Sequence, residues 1–186
     1  MLRRLFPVAL VVGASCARPA PLPGPTIASP SDRVVLVGDD GTTYRTTVAP
    51  NAKFSVEAAP DRVLAATRAA YDDLGIPIAV ADPTTGQVTS NTFSKTSALG
   101  KTAISTYLEC GRAMIGPIAD NYRVYMTVTS VVRPNGKGGS ELETAFTAYA
   151  RNMEGTSGDR VACGTTGQLE ERIRRDVVGK VAATSR

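Results

Sequence analysis

YRVYMTVTS, residues 122–130, decides the fold. Tyr122, Val124, Met126, Val128 and Ser130 alternate with Arg123, Tyr125, Thr127 and Thr129. A period of two is that of a strand with one buried face. PNGKGG at 134–139 is turn chemistry, and the chain after it places Leu142, Thr144, Phe146 and Ala148 together on a return strand. A hairpin with one apolar face needs a cover. The last element offers one: Leu169, Ile173, Val177 and Val181 recur every four residues as a single helical stripe. Glu170, Glu171, Arg172, Arg174, Arg175 and Lys180 are expected to face solvent, acids early and bases late, as the helix dipole favours. Thr165 with Gln168 is expected to form the capping box.

Upstream, 34–37 and 42–48 are strand-like around the turn signal Asp39-Asp40-Gly41. Residues 53–58 alternate, with Phe54 and Val56 on one face. Pro60 and Asp61 open a helix in which Val63, Ala66, Ala70 and Leu74 share a face, with Leu64 and Tyr71 at its edges. Gly75 ends it and Pro77 prevents its return. Strands at 76–81 and 87–90 flank a turn at 82–86. After a Ser/Thr-rich loop, 102–110 resumes alternation, with Ile104, Thr106, Leu108 and Cys110 on one face. The expected class is α+β: a curved antiparallel sheet of about five to seven strands packed against a long C-terminal helix, with one further helix. The concave face should include Leu108, Val124, Met126, Val128 and Phe146.

Composition narrows the function. The chain has 186 residues, 42% hydrophobic and 20% charged, as a folded domain should. It has no histidine, the usual general base and transition-metal ligand. The net charge of +4 falls to +2 without Arg3 and Arg4, too little to suggest a nucleic-acid partner.

Those two arginines belong to a leader. MLRRLFPVALVVGASC has the charged, apolar, small-residue order of a secretory signal, and its apolar run is too short for a membrane span. Gly13-Ala14-Ser15-Cys16 resembles the lipobox of bacterial lipoproteins, with Gly13 departing from the preferred aliphatic residue. Acylation at Cys16 is one reading; signal-peptidase cleavage after Ala17 is the other. The three cysteines are Cys16, Cys110 and Cys163. An exported domain should pair its cysteines, and a Cys110–Cys163 disulfide leaves the odd one where lipidation would use it. A redox thiol is the competing reading, without a CxxC or a histidine to support it. The expected organisation is a signal peptide at 1–15, a lipid-anchored proline-rich tether at 16–32, a hairpin or extension at 33–52, and an α+β domain at 53–186. Sixteen tether residues could span about 50 Å as polyproline II.

A sheet gripping a terminal helix, behind a lipobox and a proline-rich tether, resembles BamC-type lipoproteins and their helix-grip domain. AAPDRVLAATRAAYDDLGIP (58–77), YLECG (107–111) and ACGTTGQLEERI (162–173) are similar to a family of uncharacterised bacterial lipoproteins. The resemblance implies an outer-membrane protein facing the periplasm, accessory to outer-membrane assembly, with no catalytic residue to carry over.

The residues themselves supply no recognisable catalytic pair. Asp39-Asp40 and Asp72-Asp73 read as solvated charge, and Glu109 as exposed or ion-paired. The GK pair in 135–140 lacks phosphate-loop spacing, and Gly164 to Gly167 reads as helix capping. No cofactor or metal is expected. Two functions stand: a non-enzymatic binding or scaffolding module, anchored to the membrane through Cys16 and partnered by another envelope protein; or a carrier of a small apolar ligand between sheet and final helix.

Overall fold

The computed structural model describes residues 33–37, 43–47, 52–153 and 160–184, with backbone alone for 33–37, 43–47 and Ala52. The leader, Cys16 and the whole tether lie outside the described residues. The first two strands, β1 (Arg33–Val37) and β2 (Thr43–Thr47), form the expected antiparallel hairpin. Next come β3 (Ala52–Val56) and helix α1 (Pro60–Leu74). Pro60 starts α1, and Gly75 closes it with a left-handed φ of 67°. The Gly75 and Ile76 N–H groups return to the Asp72 and Tyr71 carbonyls at 3.0 and 2.9 Å, a Schellman closure that buries Ile76.

Then follow β4 (Ile78–Asp82), β5 (Gln87–Ser90), β6 (Phe93–Thr96), β7 (Ala98–Leu99) and β8 (Thr102–Ala103). At Gly86, φ is +68° and a Cβ would stand 2.1 Å from the Val132 carbonyl oxygen, so only glycine fits this turn. The expected strand at 102–110 is broken by a single helical turn, α2 (Ile104–Tyr107), before β9 (Leu108–Glu109). Ile104, Tyr107 and Leu108 are all buried, a helical spacing, and that burial overrides the alternation. The small hairpin β10 (Arg112–Ala113) and β11 (Gly116–Pro117), then the turn α3 (Ile118–Asn121), lead into β12 (Arg123–Pro134). β13 (Ser140–Arg151), β14 (Arg160–Thr165) and α4 (Gln168–Ala183) complete the order.

β12 and β13 form a twelve-pair antiparallel hairpin at the centre of an eight-stranded sheet, so one more strand joins than the upper expectation. Each central strand is flanked twice: β12 by β5 and β6, β13 by β3 and β14. Even-numbered residues from Val124 to Val132 are buried and their odd neighbours are not, as the alternation requires. α1 and α4 cover that inner face. α4 packs chiefly on α1, which corrects the expectation that the sheet alone covers its stripe. Leu169, Ile173 and Val177 are buried, Val181 partly, and Phe146 is only partly buried. α4's last turns are bonded to both ends of α1: Arg62 donates to the Val181 carbonyl at 2.9 Å, and Lys180 reaches Asp73 at 2.6 Å. Inside, Tyr71, Ser130 and Thr144 join in a buried hydroxyl chain at 3.0 and 2.8 Å. Burial pushes the Tyr71 hydroxyl well above the usual tyrosine range.

Candidate functional site

The disulfide is present. Cys110 and Cys163 are bonded, with Cα atoms 4.2 Å apart. Cys163 lies in β14 opposite Ala148, where the sequence had shown no strand. The bond joins β14 to the α2–β9 segment, reinforced by Thr166, whose N–H and hydroxyl donate to the Tyr107 and Thr106 carbonyls at 3.0 and 2.6 Å.

The start of α4 differs from expectation in two ways. The expected capping box of Thr165 with Gln168 does not form: Gly167 is the N-cap, without a side-chain cap, and the Thr165 hydroxyl accepts the Gly167 N–H at 2.9 Å and donates to the Glu170 carboxyl at 2.8 Å. Glu170 does not face solvent either; it is 3% exposed, and desolvation raises its pKa above the usual carboxylate range. Glu109 is exposed as expected, its carboxylate accepting the Gly111 N–H at 3.0 Å.

The disulfide-bonded strand leads to the most unusual surface of the molecule. In the hairpin register Arg123 stands opposite Arg151, and Arg151 opposite Arg160. Directly opposed residues share a face about 5 Å apart, so three exposed arginines form a row across β12, β13 and β14. Among the described residues, no carboxylate lies within 4 Å of any of them. Behind the row, Tyr125 and Tyr149 stack at 5.0 Å, and the Arg160 guanidinium lies 5.0 Å over the Tyr149 ring.

Beside the row stands the β10–β11 hairpin, whose two turn residues are Met114 and Ile115. Gly116, with φ +124°, permits the reversal. The segment is tied down around the tip. Ile118 N–H donates to the Gly111 carbonyl at 3.0 Å, the Asn121 amide to the Pro117 carbonyl at 2.8 Å, and the Asp120 carboxylate accepts the Ser105 N–H at 2.8 Å. The tip itself is bare: Met114 is fully exposed and Ile115 72% exposed. With Arg123 and Met153 they border an open cleft of about 580 Å³.

A second, smaller cleft of about 400 Å³ lies between α1 and the end of α4, lined by Ala65, Ala66 and Ala69. Neither of these two clefts lies between the sheet and α4, where Leu142, Leu169 and Ile173 are almost fully buried. Among the described residues, no group of three metal-ligating side chains converges and no helix is long and apolar enough to cross a membrane.

The arginine row escaped sequence reading, yet the signal was there. Counting outward from the 134–139 turn opposes Arg123 to Arg151. In RAMIGP (112–117), two large apolar residues between a basic residue and a Gly-Pro pair mark an apolar turn. No protein-family model matches the chain, and no curated protein is significantly similar to it.

Proposed function

We propose that this chain is a non-enzymatic binding or scaffolding module of the bacterial cell envelope, held at a membrane by an acylated Cys16 on a proline-rich tether. One observation carries the reading: a disulfide-bonded sheet ends in three opposed arginines and a bare apolar tip, with no described acid paired to the row. Like charges facing each other on adjacent strands lower stability, so this surface is better explained by what it meets than by what it does for the fold. The leader, the lipobox-like residues before Cys16 and the run of prolines support delivery to an outer membrane. An acylated N-terminus leaves the sheet free to engage an envelope component.

The test is mass spectrometry of the mature N-terminus with membrane fractionation of a Cys16→Ser chain. Diacylglyceryl mass on Cys16, and release of the variant from membranes, are expected. An unmodified chain starting at Arg18 would overturn the anchored reading.

A further inference from the structure

We propose that the open end of the sheet docks on an anionic phospholipid bilayer, with Met114 and Ile115 entering the headgroup region and the arginines meeting lipid phosphates. Five large apolar side chains are exposed among the described residues: Val80, Met114, Ile115, Met153 and Val178. Scattered single exposures are ordinary, but three of these five border one cleft. Arg123 lines the same cleft, Arg151 and Arg160 stand beside it in register, and Arg112 sits at the base of the tip.

The described neighbouring acids do not pair with this group. Glu109 and Asp120 are engaged with backbone N–H groups, and neither forms an ion pair with a described arginine. The sequence between Met153 and Arg160 supplies Glu154 and Asp159, which lie outside the described residues. That is two acids against four arginines.

Apolar side chains ringed by basic ones are the pattern of a membrane interface. A protein partner is the poorer fit. Protein interfaces of standard size bury about 800 Å² on each side around a packed core, whereas this tip is a narrow projection of two side chains. The inference also rests on the tethered reading. A segment reaching about 50 Å keeps the domain near the bilayer, so docking can be weak and still be populated.

The chain contains no tryptophan, so Met114→Trp in the full chain gives a single fluorescent reporter at the tip. On vesicles of phosphatidylcholine with phosphatidylglycerol its emission should shift to the blue and be quenched by brominated acyl chains. Vesicles of phosphatidylcholine alone should act weakly. Val178→Trp, on the exposed side of α4, should not respond. Adding Arg123→Ser and Arg151→Ser should weaken the tip response about thirtyfold, the loss expected for two basic residues at an anionic surface.

A tip reporter that stays in water while the chain is bound to vesicles overturns the inference and leaves the anchored reading intact. An unmodified Cys16 overturns the anchored reading and leaves the tip result standing. A shift with poly-glutamate but none with anionic vesicles also overturns lipid docking, assigning the surface to an acidic protein.

Discussion

The two ends of the β12–β13 hairpin handle charge in opposite ways. Near the turn, Arg133 pairs with Glu143 at 2.8 Å, and Lys53 of β3 reaches Glu141 and Glu143 at 3.7 Å each. Ten residues along the same strand, Arg123 faces Arg151 and Arg151 faces Arg160, with no described carboxylate between them. The turn end is settled by ion pairs across strands. The open end is held by covalent chemistry, since β14, which brings Arg160 into the row, is bonded through Cys163 to Cys110. One hairpin with two solutions shows that the repulsion is local: the fold can pair charges, and among the described residues it does not do so at this end.

The largest effect should come from removing the bond. Closing a loop of 53 residues restricts the unfolded chain by about 4 kcal/mol, so Cys110→Ala with Cys163→Ala should lower unfolding free energy by about that amount in urea melts. A loss below about 1 kcal/mol would mean that hydrogen bonding alone holds the open end, and the contrast with the turn end would lose its basis. Second in size is Ile173→Ala, which empties a fully buried site shared by α4, α1 and the sheet. About 3 kcal/mol is expected, against under about 0.5 kcal/mol for exposed Arg175→Ala. Equal small effects in paired denaturant melts would show α4 to be peripheral.

Charge changes at the two ends should have opposite signs. Arg151→Glu places an acid between Arg123 and Arg160, and should raise stability by a few tenths to about 1 kcal/mol. Glu143→Arg removes the acceptor of Arg133 and Lys53 and should lower it by a similar amount. Added salt should shrink both effects, because exposed charges are screened. Destabilisation by both substitutions would indicate that the acids at 154 and 159 already neutralise the open end.

Much of the hairpin was legible because alternation, turn chemistry and equal strand lengths agree on one register. The helices were legible too, α1 from an apolar face between clear start and stop signals at Pro60 and Gly75, and α4 from its four-residue apolar stripe. Residues 102–110 were not: four helical residues are too few to display a period, and only the burial of Ile104, Tyr107 and Leu108 reveals the turn. β14 was missed because RVACGT lacks alternation and becomes a strand through its pairing with β13 and its disulfide. Cys110 and Cys163 could be paired by counting cysteines. The arginine row required two steps, the register from the turn and then β14, and the second was hidden.

Glu170 is the third way this fold treats a charge. It sits one residue beyond Leu169 on a helix whose acids were expected in water, yet tertiary packing encloses it with the Thr165 hydroxyl. Its raised pKa means that the folded chain holds this proton more tightly than the unfolded chain does. Its contribution is therefore fully present below the ordinary value of 4.5 and is lost as pH rises through that value and the raised one. Glu170→Gln removes the titration while keeping an oxygen to accept from Thr165. Between about pH 4 and about pH 7 the wild type should lose stability relative to this variant, by less than the charge swaps at the strand ends change it. Urea midpoints of the two chains across that range provide the measurement, because the other carboxylates titrate in both. Parallel curves would mean that Glu170 ionises folded as it does unfolded. It would then belong with the paired acids of the turn end and not with the buried interior.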